Sequence, residues 1–173
     1  MAREDLVQGV LVRFAKYVIQ QARTNLTKGK HNFSKELYNS LDYSIYVDKD
    51  KFSLVFRMDE YGLYQDEGGK GAGGTRKTTS QFNRRNNKGK IWKQKAPNSP
   101  FKFRDKKPPV SAFKQWATSK GLNPYAVREA VYRQGIAPTK FFSTPFALGF
   151  NKLPPDILKA LQITAEDIKI STK

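Results

Sequence analysis

The chain has 173 residues, no cysteine, one histidine, and 32 Lys+Arg against 15 Asp+Glu, for a net charge of +17. That length suits one domain, or one domain with a long loop, and can bury a sizeable core. Without cysteine there are no disulfides, thiol nucleophiles or thiolate metal sites, and His31 alone cannot build a His-rich centre. No apolar run is long enough to span a bilayer as a helix, and the charged opening MAREDLVQGV lacks a signal core. A soluble protein made in a cytoplasm, with a polyanionic or acidic partner, is the expectation.

Apolar residues at 6, 7, 10, 11, 14, 15, 18, 22 and 26 mark one face of a long amphipathic helix, with Gly29 as its stop after Lys28. Ser34 is placed to cap a short helix over 35–41. Tyr43, Ile45 and Val47, then Phe52, Leu54, Phe56 and Met58, alternate with polar residues. They predict a β-hairpin that turns at Asp48-Lys49-Asp50.

Positive charge is concentrated next. Residues 70–107 hold 13 Lys/Arg and one acid, Asp105, so this stretch carries +12 and the other 135 residues only +5. Glycines cluster at 68–74, and prolines stand at 97, 100, 108 and 109. Such a composition buries too little apolar surface to offset chain entropy. Residues 68–109 therefore read as a basic insertion or arm that orders against a partner, although a solvated loop has the same composition. Its partner- or DNA-contacting candidates are Lys70, Arg76, Lys77, Arg84, Arg85, Lys88, Lys90, Trp92, Lys93 and Lys95. Interleaved Phe82, Trp92, Phe101 and Phe103 suit stacking beside phosphate contacts.

The helical period returns after Pro109. Val110, Phe113, Trp116 and Ala117 share a face that Gly121 ends, and Asn123-Pro124 opens a second helix running to Gly135. The aromatic segment at 140–150 reads as another strand or a packed turn. Pro155 opens a last helix through Ile157, Leu158 and Leu161. Residues 1–67, the insertion 68–109, and 110–173 then make one domain with an arm.

Chemical motifs are weak. Gly69-x-Gly71-x-x-Gly74 has the letters of a dinucleotide fingerprint, but Thr75-Arg76-Lys77-Thr78 continues with no apolar helix period. The acidic pairs Asp59-Glu60 and Asp66-Glu67 lack the spaced lysine and histidine base of a metal nuclease. The expectation is no catalytic residue, cofactor or metal. Ala117-x3-Gly121-x5-Val127 fits helix-turn-helix spacing, which makes Arg128, Tyr132 and Arg133 candidates to read DNA in a groove. A helical hairpin packed on the domain, with Trp116, Tyr125 and Tyr132 as core or interface residues, gives the same pattern.

Three segments carry a resemblance. They are Glu36-Leu37-Tyr38-Asn39-Ser40-Leu41 with its Leu37-x-x-Ser40 step, Tyr61-Gly62-Leu63-Tyr64-Gln65-Asp66-Glu67-Gly68, and Gly135-Ile136-Ala137-Pro138-Thr139-Lys140-Phe141-Phe142. In this order the chain resembles the tail-completion and neck (head-tail connector) proteins of tailed bacteriophages, the group similar to minor tail protein Z of lambda-like phages. It departs from that pattern in the insertion after Gly68 and the helical hairpin at 110–134. The resemblance implies an α+β fold, a small antiparallel sheet packed by an N-terminal amphipathic helix and C-terminal helices. It also implies a noncatalytic virion protein of the neck or tail, made in the host cytoplasm. Its partners would be copies of itself in a ring, portal or adaptor or tail proteins, and packaged DNA met nonspecifically, with no membrane. The other reading of the residues is a DNA-binding protein that uses the hairpin and the basic arm.

Overall fold

The computed structural model describes residues 3–29, 35–48, 51–74, 91–103, 106–155 and 169–172. The fold is α+β, and the chain forms two compact units: unit 1 is Met1–Asp66 with Lys140–Lys173, and unit 2 is Glu67–Thr139. The sequence divisions at 67/68 and 109/110 therefore compare with unit boundaries at 66/67 and 139/140. The helical hairpin belongs to the same compact unit as the ends of the insertion.

Unit 1 is organised by α1 (Arg3–Lys28), about 39 Å long. Val7, Leu11, Phe14, Ala15, Val18, Ile19, Ala22 and Leu26 are buried along it, the face its period marks, whereas Leu6 stays exposed. Strands β1 (Asp42–Asp48) and β2 (Lys51–Met58) pair antiparallel from Asp42↔Arg57 to Asp48↔Lys51. Alternation buries Leu54, Phe56 and Met58. Asp48↔Lys51 is the last register pair, and of the expected turn Asp48-Lys49-Asp50 residues 49 and 50 lie outside the described residues. Strand β5 (Lys169–Thr172) joins β2 in parallel, from Val55↔Lys169 to Met58↔Thr172. The hairpin thus gains a parallel third strand that its local sequence does not announce, and the order is β1-β2-β5.

Two short helices flank the hairpin. Helix α2 (Glu36–Ser40) begins after Lys35, whose φ is 58° and whose side chain makes no cap; Ser34 lies outside the described residues. Helix α3 (Glu60–Glu67) follows β2. Gly62 gives a close approach there: a Cβ would lie 2.6 Å from Met58 Sδ and 2.8 Å from Leu37 Cδ1, so those side chains would have to shift.

The aromatic segment is helix α6 (Ser143–Phe150), not a strand. Phe142, Phe146 and Phe150 recur at the four-residue helical interval, with Phe142–Phe146 and Phe146–Phe150 each stacked at 6.1 Å. Phe56 meets Phe142 edge-on at 5.2 Å, and Phe14 meets Phe146 at 5.7 Å. Each such pair contributes ~0.5–1.5 kcal/mol beyond area burial. Gly149 lets α6 approach α1: a Cβ there would sit 2.9 Å from Phe14 Cε2. The helix expected through Ile157, Leu158 and Leu161 lies outside the described residues.

Unit 2 has little apolar core; its buried hydrophobic residues among those described are Ala96, Ala117 and Tyr132. Strand β3 (Gly69–Lys70) pairs antiparallel with β4 (Gly135–Ile136), and Lys70 also bridges to Lys102. The 92–95 segment is held by Trp92 N–H donating to Gly74 O (3.0 Å) and Lys95 N–H donating to Gln134 O (2.8 Å). Helix α4 (Ser111–Ser119) leads to α5 (Pro124–Gln134), which starts as its sequence predicts: Asn123 Oδ1 accepts from Tyr125 N–H at 2.9 Å. Gly135, at φ 84°, ends α5 where a Cβ would collide with the Gly69 carbonyl, so only glycine lets the two backbones cross. Among the described residues no helix is long and apolar enough to cross a membrane.

Candidate interaction surfaces

In unit 1 the buried carboxylate of Asp66 joins two distant segments. Its Oδ1 accepts from Phe142 N–H (2.7 Å) and Ser143 N–H (3.2 Å), its Oδ2 accepts from the Ser143 hydroxyl, and its backbone carbonyl accepts from Lys140 N–H (3.0 Å). α6 makes no cap from its own Phe142, so an acid 77 residues before Ser143 satisfies its first amides and complements its dipole. Asp66 is thereby fully engaged as a helix cap. The Ser40 hydroxyl likewise accepts from Asp59 N–H at 3.0 Å, linking α2 to the start of α3.

A groove of about 590 Å³ opens beside α1, lined by Lys16, Ile19, Arg23, Thr24, Tyr38 and Tyr43 among others. Arg23 staples its wall. Nε donates to Tyr38 O (3.1 Å), Nη2 donates to Leu41 O (3.0 Å), and the guanidinium lies 5.1 Å from the Tyr38 ring centroid. These are the last carbonyls of α2 and its exit, which a cation stabilises.

Unit 2 carries the charge. Glu129 accepts from Lys107 (2.5 Å) and Arg133 (3.0 Å), and Arg133 Nη1 also donates to Gly73 O at 3.2 Å. The Lys107 ammonium, with help from Arg133, holds the Glu129 carboxyl below the usual carboxylate range. Both cations lie over the Tyr132 ring, Arg133 at 5.3 Å and Lys107 at 5.6 Å. Tyr132 is buried, 6.2 Å from the Phe103 ring.

This placement corrects the groove-reading assignment. Tyr132 is in the core and Arg133 is held by Glu129 and Gly73, so neither offers a free edge to a base. Arg128 lies 5.6 Å from the Tyr125 ring, with Nε buried and without a hydrogen bond. The glycine fingerprint also has another use: Gly71 N–H donates to Gln94 Oε1 (2.7 Å), and Gln94 Nε2 donates to Arg133 O (2.8 Å). That amide is tied to a glutamine, not presented to a phosphate.

Of the ten contact candidates in the insertion, Arg76, Lys77, Arg84, Arg85, Lys88 and Lys90 lie outside the described residues. The other four are in place. Lys93 and Lys95 are exposed, alternating with half-buried Trp92 and Gln94, while Lys70 is half-buried. Lys102, Lys106, Lys114 and Lys120 are exposed as well and were missed. For Lys102 the signal was legible, since it alternates with Phe101 and Phe103 as an outward position does. Among the described residues no group of three or more His, Asp or Glu comes together. Compared with known proteins, the chain matches no family model, no curated protein and no solved structure.

Proposed function

We propose that this chain is a structural ring subunit of the head-tail connector, the neck or tail-completion region, of a tailed bacteriophage. Its role is to hold neighbours together, copies of itself on either side and portal, adaptor or tail proteins above and below. The observation that carries this reading is that segments supporting the resemblance are locked to one another in unit 1. Leu37 packs at Gly62, the Ser40 hydroxyl accepts from Asp59 N–H, and Asp66 caps Phe142 and Ser143. Residues scattered from 37 to 143 thus serve one packing arrangement, as a shared fold requires.

The surface suits such a role. Leu6, Tyr46, Val47 and Leu148 in unit 1, and Ile91, Trp116, Leu122 and Tyr125 in unit 2, are large apolar side chains left exposed. Aromatic and aliphatic groups of this kind form the centres of protein interfaces. A ring uses two different faces of each subunit, so apolar residues on more than one element are expected. The test is to delete the gene from the phage that encodes it and examine lysates by electron microscopy. The expected result is DNA-filled heads and separate tails, with normal particles restored by the gene in trans. Normal infectious virions from the deletion would overturn the proposal.

A further inference from the structure

Unit 2 has 17 basic residues against three acids, +14 over 73 residues; unit 1 has 15 against 12, +3 over 100. An excess this large raises the energy of the compact state through self-repulsion unless an anion is near. One of the three acids, Glu129, is already shared between Lys107 and Arg133. Among the described residues Lys70, Lys93, Lys95, Lys102, Lys106, Lys114 and Lys120 have no ion pair.

Backbone pairing brings two of these lysines to one side. Lys70 and Lys102 are bridge partners, so their side chains leave the same face of the ladder, two like charges directly opposite each other. The next position in that row is Gly135, paired with Lys70 and lacking a side chain to cover them. On the 91–95 segment Lys93 and Lys95 are exposed, alternating with half-buried Trp92 and Gln94. Like charges set in register have no folding rationale of their own. An anionic ligand supplies one.

We infer that unit 2 is a duplex DNA-binding surface that contacts the phosphate backbone through Lys70, Lys102, Lys93 and Lys95 and reads no base sequence. Two features favour DNA over an acidic protein, and a third argues against base reading. The free charges are dispersed over several segments, which suits a long polyanion better than a short acidic patch. They are lysines, compact charges that accept phosphate from any direction, whereas Arg133, the fork suited to a carboxylate, is engaged internally. Of the hairpin candidates for base reading, Arg128, Tyr132 and Arg133, Tyr132 is buried and Arg133 is bonded within the unit. The inference does not depend on the chain's place in a virion.

The full chain is titrated with two duplexes of unrelated sequence, by fluorescence anisotropy, between ~50 and ~200 mM salt. Both duplexes should bind equally, with log K falling linearly in log salt. Each lost phosphate contact lowers the slope by about 0.9, so Lys70→Gln/Lys102→Gln should lower it by about 2 on both duplexes. Lys93→Gln/Lys95→Gln should do the same, and its side chains lie outside the β3–β4 ladder should the first pair disturb folding. Arg13→Gln/Lys35→Gln, a matched change in unit 1, should leave the slope alone. Slopes unchanged in both lysine pairs, with circular dichroism unaltered, would overturn the inference. So would polyglutamate binding as tightly as DNA at equal salt, which would mark an acidic-protein surface, or a preference above about tenfold between duplexes, which would mark base reading.

Discussion

Unit 1 and unit 2 treat apolar surface and charge in opposite ways. Unit 1 nearly balances its charges and gathers Phe14, Phe56, Phe142 and Phe146 from α1, β2 and α6 into one aromatic cluster. Among its described residues unit 2 buries few apolar side chains, Ala96, Ala117 and Tyr132, and fixes its segments by backbone crossings that glycine permits and by a Gln94 bridge. The first unit draws its stability from burial, which salt scarcely changes. Among its described residues the second holds a self-repelling surface together with hydrogen bonds and the Lys107–Glu129–Arg133 ion pairs, so an anion bound there would add to its stability. One unit is thus organised around a buried apolar core, and the other carries most of the net charge with few buried apolar residues among those described.

The contrast is broken most severely from within unit 1. Phe56→Ala removes the ring that touches Phe14, Phe142 and Phe146, and should cost ~3–5 kcal/mol in urea denaturation, enough to unfold much of the population. A loss below ~1 kcal/mol would mean that the aromatic cluster is not the core of this unit. At the small end stands Glu129 in unit 2. Its carboxyl titrates below its unfolded value, so its contribution is present above the ordinary carboxylate range and disappears as pH falls through the lowered one. The Glu129 side chain is 35% exposed, and solvent screening limits the effect to under ~1 kcal/mol. Thermal melts of Glu129→Gln against the parent should differ slightly at neutral pH and converge in acid; a constant offset across the range would exclude the ion pair as the cause.

What could be read from sequence follows from how local each cause is. The face of α1 and the alternation of β1 and β2 are periodic within a few residues of one another, and Asn123-Pro124 is a self-contained start signal. Helix α6 was not legible as a helix, because a run such as FFSTPFALGF is apolar at either period and its cap, Asp66, comes from far along the chain. The pairing of β5 with β2 joins residues more than a hundred positions apart, which no local pattern encodes. At the candidate site, the basic stretch at 70–107 lies within unit 2. Its composition did not show that Glu129, one helical turn before Arg133, takes that arginine out of service.

The division into two units is tested most directly by excising 67–139. Asp66 O and Lys140 N lie 3.0 Å apart, so a linker of roughly two to four Gly/Ser residues can join Asp66 to Lys140 without loop strain. The account predicts that the shortened chain keeps its helix and sheet signals, unfolds cooperatively, and loses the salt-dependent DNA binding of the full chain. A chain that is unfolded after excision, or one that still binds duplex DNA with an undiminished salt slope, would contradict the separation of scaffold from charged module.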